Sequence, residues 1–165
     1  MTIEQDLAKI AQHEAVLVFK QFDECTAWEL GSRLKAAAEK RGAALAIDVT
    51  LGGSTVFFCA MPGATPNSAN WVRRKRATTL FFHRSSYGVG QQLTRDKADL
   101  TAKFGLAVAD FAVAGGSFPL RVTGTGVVGA VTVSGQPQRE DHKLIVEVLA
   151  EFLGVPLAGL ELDLA

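Results

Sequence analysis

Residues 115–142 constrain the fold of this chain more than any other stretch. They read GGSFPLRVTGTGVVGAVTVSGQPQREDH and hold two β-rich apolar runs, at 119–123 and 127–133, joined by Gly124-Thr125-Gly126. Two such runs joined by a short glycine link predict an antiparallel hairpin. Apolar residues then recur at helical spacing from 137 to 153, so we expect a helix to follow the hairpin and pack on it.

The same local patterns assign the rest of the chain. We predict a helix at 2–13, a strand at 15–19, a helix at 23–41, hairpin strands at 43–49 and 55–60, a helix from Asn67 or Ser68 to His83, a break at 85–90, a helix at 91–104 and a strand at 110–113. Consecutive strands with tight links favour an antiparallel sheet flanked by helices, an α+β fold. The leucine-rich tail after Pro156 is expected to form an edge strand or to contact another subunit.

Length and charge limit the classes of function. The 165 residues predict one domain, 1–165, and 17 basic against 17 acidic side chains leave no net charge to attract nucleic acid or an anionic membrane. The N-terminus has acidic residues and no continuous apolar core, which is atypical of a signal or an anchor. Two cysteines are too few for a secreted disulfide framework, so we expect a soluble cytoplasmic protein.

A run of four cations, Arg73, Arg74, Lys75 and Arg76, is the first candidate ligand site. Such side chains can bind a carboxylate or a phosphate. On a helix they spread around several faces, and charge runs are more often solvated or paired with acids of a neighbouring subunit. Both interpretations remain open for Arg73, Arg74 and Lys75.

Histidine and sulfur side chains are the candidate metal ligands. His83 follows a helix end, where it could cap carbonyls or bind a metal, and His142 follows Asp141. Adjacent helical residues point about 100° apart, so we expect Asp141 to be a capping or surface residue. Cys59 and Met61 are soft ligands for iron or haem, although a thiol within FFCAM is more typical of a buried side chain.

The turn Gly115-Gly116-Ser117 could direct backbone N–H groups toward an anion. It lacks the lysine and spacing of a P-loop and does not match GxGxxG after a strand, so a plain turn is favoured. The chain has no GxSxG, HExxH or CxxC motif. These absences argue against common hydrolases and structural zinc sites and leave the catalytic residues unassigned.

The combination of GGSFPL and VSGQPQREDH, with NWVRRKRATTLFFHRSS upstream, resembles the UPF0303 family, which is grouped with haem-degrading, GlcG-like and HbpS-like domain proteins. The resemblance covers nearly the whole chain. It implies a profilin-like α/β/α fold around a five-stranded antiparallel sheet, and assembly into homodimers or larger homo-oligomers. Some relatives bind haem and take part in its breakdown, and a histidine often precedes the Gly-Gly pair, where this chain has Ala114.

Three hypotheses about function follow. The first is an oligomeric domain that binds haem or another small anionic ligand, with haem degradation as a possible activity implied by the resemblance alone. The propionates of the bound haem would contact Arg73, Arg74 or Lys75, and its iron would be bound by a histidine or sulfur ligand. The second is a non-catalytic interaction or scaffold protein that assembles through the basic helix and the C-terminal tail. The third is an enzyme that acts on a small acid through Asp141 and His142.

Overall fold

A computed structural model describes residues 2–162 of the chain, and it contains four strands and six helices within that part. The helices are α1 (Ile3–Val16), α2 (Glu24–Lys40), α3 (Pro66–Phe82), α4 (Ser86–Asp96), α5 (Leu100–Phe104) and α6 (Gln138–Leu153). The strands are β1 (Ala46–Leu51), β2 (Ser54–Ala60), β3 (Ser117–Val122) and β4 (Gly126–Ser134).

Both predicted hairpins are confirmed. β1 pairs antiparallel with β2 across Gly52-Gly53, and β3 pairs antiparallel with β4 across residues 123–125. β1 also pairs antiparallel with β4, which joins the hairpins into one sheet in the order β2-β1-β4-β3. The prediction of an antiparallel sheet flanked by helices is therefore confirmed.

The prediction of five strands is wrong for the described residues, because the sheet has four. Helix α1 begins at a capping box made by Thr2 and Gln5 and continues to Val16, so it includes Ala15 and Val16, the first two residues of the run predicted as a strand. Within this run, Phe19 alone pairs with the sheet, as a parallel bridge to Val122, while Leu17 is buried in the main apolar core. A short apolar run such as 15–19 is compatible with a helix or a strand, and here the first part of the run continues the capped helix α1.

The strand predicted at 110–113 is also wrong. The Ala112 N–H donates to the Arg74 carbonyl oxygen of α3 (3.1 Å), not to a strand.

The helix predicted at 91–104 is two helices. The first, α4, begins after Ser85, whose hydroxyl accepts from the Gly88 N–H (3.1 Å), and it ends at Lys97 in the left-handed conformation. Among the residues that indicated a break, Ser85 is the N-cap of α4, and Gly88 and Gly90 are positions where neighbouring atoms approach the helix closely.

The elements form three layers. The larger apolar core lies between one face of the sheet, with Ile47, Val131 and Phe118, and helices α2 and α6. Helix α3 covers the other face, and α1 packs on α4 beside it. Within the tail, Leu160 and Leu162 are buried against this same chain, and none of the tail residues up to 162 forms a strand. Among residues 2–162, no helix has the length and apolar character that a membrane span requires.

Candidate functional site

Two of the four consecutive cations hold a loop against α3. Arg73 donates to the Ala109 carbonyl oxygen (2.8 Å), and Arg74 donates from Nε to the Val108 carbonyl oxygen (2.9 Å). The main-chain oxygen of Arg74 accepts from Ala112. Because both guanidinium groups bind successive carbonyls of the same loop, they fix residues 107–112 beside the exposed side of α3.

The other two cations turn toward the sheet. Lys75 Nζ donates to Asp141 Oδ2 (2.9 Å) and to the Val133 carbonyl oxygen (3.2 Å), and the lysine is 3% exposed. Arg76 Nη1 donates to Asp48 Oδ2 (2.8 Å) on β1. The basic run is therefore divided among separate intramolecular partners, and only Arg74 lies on the groove described next.

The loop fixed by Arg73 and Arg74 forms one wall of a groove of about 460 Å³. The other walls are α3, α4 and the start of α5. The lining residues are Trp71, Arg74, Gly90, Leu93, Thr94, Lys97, Ala98, Asp99, Leu100, Val108, Phe111, Ala112, Val113 and Ala114. Most of them are apolar, and the indole of Trp71 and the ring of Phe111 supply aromatic surface. The groove therefore suits an apolar, flat molecule.

Two positions show how the backbone builds this groove. A Cβ atom at Gly90 would lie 2.2 Å from the Val113 carbonyl oxygen, so the segment that closes the groove can pass over α4 only because this residue is glycine. Lys97 ends α4 with φ 50°, a conformation that glycine adopts more easily than any other residue. The lysine side chain at this position lines the groove.

The charges in the groove favour an anion. The Arg74 guanidinium lies over the Trp71 ring, 4.6 Å from its centroid, and Lys97 provides a second cation. The carboxylate of Asp99 is the only acid among the described lining residues, and it accepts from the Ala102 N–H (2.9 Å) as the N-cap of α5. Two cations against one capping carboxylate leave a net positive charge beside the aromatic surface.

His142 lies far from solvent and is paired with His13. Its Nε2 is 3.2 Å from His13 Nδ1, and His13 Nε2 is 2.6 Å from the Leu160 carbonyl oxygen. A carbonyl can only accept, so His13 is protonated on Nε2 and accepts on Nδ1 from the Nε2–H of His142. His142 Nδ1 is then a buried acceptor with no hydrogen-bond partner among residues 2–162.

Burial sets the protonation of this pair and of the neighbouring acid. It lowers the pKa of His142 to about 3, helped by nearby positive charge, and it lowers the pKa of His13. Asp141, which we expected to be a capping or surface residue, is 0% exposed, and burial raises its pKa to about 6 despite the Lys75 ammonium. Of the two positions predicted for Asp141, capping or surface, the surface one is wrong, because Oδ2 is paired with buried Lys75, while Oδ1 accepts from the Gln136 N–H just before α6 (3.1 Å).

The remaining candidate metal ligands are dispersed. His83 is exposed at the left-handed end of α3, half-buried Cys59 lies on β2, and Met61 belongs to the main apolar core. His142 is the buried histidine of α6. Among residues 2–162, no three His, Cys, Asp or Glu side chains come together as a metal site.

The residues of the predicted glycine turn are engaged within the fold. Gly115 N–H donates to Gln138 Oε1 (3.2 Å), and Ser117 N–H donates to Ser86 Oγ (3.1 Å). Gly116 has φ 123°, and a Cβ there would lie 2.5 Å from the Val133 carbonyl oxygen. The structure thus places Gly115, Gly116 and Ser117 where α6 approaches the sheet, outside the groove.

Sequence reasoning did not identify Lys97 and Phe111 as groove residues, or His13 as the partner of His142. Lys97 did fall on the helical pattern of 91–104, but nothing local indicates that this helix ends there with the lysine facing a loop. His13 and His142 are 129 positions apart, so only the tertiary structure brings these two side chains together. Ala114, the position before the glycine pair, lines the groove.

Comparisons with known proteins give consistent matches. The family model described as haem degrading protein HbpS-like matches residues 22–150. A UPF0303 protein of Rhizobium leguminosarum bv. trifolii is 53% identical over 163 residues, 99% of this chain and 98% of the relative. A UPF0303 protein of Serratia proteamaculans is 47% identical over 157 residues, 95% of this chain and 98% of the relative.

Solved structures share the fold. The Ybr137w protein is 25% identical, with a TM-score of 0.83 over 90% of this chain and 87% of that chain. HbpS is 22% identical, with a TM-score of 0.65 over 81% and 91% of the two chains. A PduOC:haem complex is 16% identical, with a TM-score of 0.66 over 81% and 94%.

Proposed function

Because the chain belongs to the UPF0303 family and carries an HbpS-like domain, we propose that it binds a planar, apolar anion of the tetrapyrrole class, such as haem, in the groove between α3 and α4. The observation that carries the proposal is the Arg74 guanidinium stacked on Trp71, with Lys97 lining the same groove. Aromatic faces would pack on the macrocycle, and the two cations would bind its carboxylates.

The size of the groove supports this ligand class. Its volume of about 460 Å³ lies within the range of ~300–1,000 Å³ that is usual for small-molecule sites.

The backbone conformation of Lys97 also supports a binding site in the groove. Side chains in the left-handed region cost about 1–2 kcal/mol, and a residue kept there at a site often has a functional reason. A lysine at this position gives up helix-capping stability and gains a cation over the groove.

Two of the comparisons concern haem: the matching family model is described as haem degrading protein HbpS-like, and one structure with a related fold is a PduOC:haem complex. The groove offers aromatic surface for the haem ring and cations for its carboxylates, but its described lining offers no imidazole or sulfur ligand for the iron. Its described lining has no histidine, cysteine, methionine or tyrosine. We therefore derive no reaction step through haem iron, and haem degradation remains an expectation from the family.

A fluorescence titration tests the proposal. The chain has two tryptophans, Trp71 in the groove and Trp28 exposed on α2 beside Phe57. In a Trp28→Phe variant, hemin should quench Trp71 saturably at micromolar concentration. The Trp71→Phe variant, which keeps Trp28, reports inner-filter and nonspecific quenching. Absence of saturable quenching beyond this control would reject the proposal.

The interaction or scaffold hypothesis gains no specific support. The partners of Arg73, Arg74, Lys75 and Arg76 lie within the chain, and so do the surroundings of Leu160 and Leu162. Assembly into a homo-oligomer and a cytoplasmic location remain predictions, and gel filtration with light scattering would measure the former.

A further inference from the structure

We infer that the groove recognises its ligand through the flat ring and the carboxylates, independently of a bound metal, so that metal-free planar diacids bind as well as haem does. This inference rests on the proposed function and adds the substrate class to it. It follows from which groups line the groove and from where the histidine side chains lie.

Two of the side-chain oxygen atoms that line the groove make hydrogen bonds within the helices. Thr94 Oγ1 donates to the Gly90 carbonyl oxygen (3.0 Å) within α4. Asp99 accepts from the Ala102 N–H as the cap of α5. This bond holds the Asp99 carboxylate at the start of α5.

The histidines are held elsewhere. His142 is 0% exposed and is hydrogen-bonded to His13, which in turn donates a hydrogen bond to the Leu160 carbonyl oxygen. His83 lies nine residues beyond Arg74 on or just after α3, which places it about 13 Å farther along the helix axis. None of these imidazoles lines the groove in the described part of the chain.

The groups that do face the ligand act on features that a metal does not change. The Trp71 and Phe111 rings contact a macrocycle by its faces, whether or not the centre holds iron. Arg74 and Lys97 attract peripheral carboxylates through charge. Affinity should therefore depend on the ring and its acids, and removal of iron should leave it nearly unchanged.

The experiment compares hemin with metal-free protoporphyrin IX and with protoporphyrin IX dimethyl ester, using Trp71 quenching in the Trp28→Phe chain. The two diacids should have dissociation constants within about threefold of each other, and the ester should bind about tenfold more weakly or worse. Hemin binding more than about tenfold tighter than protoporphyrin IX would overturn the inference and leave the proposed function intact.

If neither diacid binds, the proposed function itself fails, so the two failures are distinguishable. A Lys97→Gln variant adds a second measurement. It should weaken hemin and protoporphyrin IX by the same factor, about 3–10-fold, because it removes a contact to a carboxylate. An effect on only one of the two ligands would contradict recognition through the shared acids.

Discussion

The Lys75 ammonium lies 2.9 Å from the Asp141 carboxylate, in a site where the two side chains are 4% and 0% exposed. The pair joins α3 to the first turn of α6, and Lys75 also donates to the main chain of β4. Gly116 makes room for it, because a Cβ at this position would lie 2.8 Å from the lysine amine. One ion pair thus ties the polar face of the sheet to the helix that packs on the apolar face.

Removing one charge of this pair should strongly destabilise the fold. Asp141→Asn leaves the Lys75 ammonium buried without a counter-charge, and we expect the free energy of unfolding to fall by about 3–5 kcal/mol at pH 7. Denaturant unfolding measures the loss. The matched control is Asp110→Asn, which breaks the exposed pair with Arg73 and should cost less than about 1 kcal/mol. Similar small losses in both variants would contradict the buried-pair argument.

His142 should make the protein less stable in acid. Its pKa is about 3 in the folded chain, below the usual 6.5, so the unfolded chain binds the proton first as the pH falls through 6.5. The contribution of neutral His142 is therefore lost on acidification, by about 2 kcal/mol between pH 7 and pH 5.

Asp141 acts in the opposite direction, because its pKa is raised from 3.8 to about 6. Its protonation contributes stability that is fully present below pH 3.8 and is lost as the pH rises through 6.

A His142→Gln variant separates the contribution of the histidine from that of Asp141. The advantage of the native chain over this variant in free energy of unfolding should shrink by about 2 kcal/mol from pH 7 to pH 5. A pH-independent difference would refute the low pKa.

Substituting glycine at the two left-handed helix ends that carry another residue separates the effect on stability from the effect on binding. Lys97 and His83 have φ values of 50° and 52°, so Lys97→Gly and His83→Gly should each raise stability by about 1 kcal/mol. Thermal unfolding measures that gain. Hemin affinity should fall only in Lys97→Gly, since His83 does not line the groove. An equal loss in the His83 variant would place the ligand near the end of α3 instead.

Gly116 should tolerate no side chain. At φ 123°, a Cβ would lie 2.5 Å from the Val133 carbonyl oxygen, and we expect Gly116→Ala to cost about 3 kcal/mol or more. The control, Gly124→Ala, has φ 78° in a hairpin turn with nothing within 4 Å of the added atom. It should cost about 1 kcal/mol in denaturant unfolding. Equal costs would show that the close approach at Gly116 relaxes easily.

Local patterns predicted the elements that carry their own signals. The two hairpins have glycine links and β-rich runs, and α6 has a wide apolar stripe, so periodicity and turn chemistry suffice for them. The same logic failed at 15–19, where an apolar run fits two periods, and at 85–90, where a serine cap looks like a break. Each error concerned a segment whose secondary structure depends on the residues that pack against it.

By itself, the sequence determined the hairpins, the helix that follows them and the family, because these depend on neighbours in the chain. Only the tertiary structure decided which of four adjacent cations is buried with Asp141 and which lies on the groove. It also brought His13 to His142 and Lys97 to Trp71 and Arg74. A charged side chain can pair with any partner within reach, and that partner is set by packing between elements far apart in sequence, which no local pattern records.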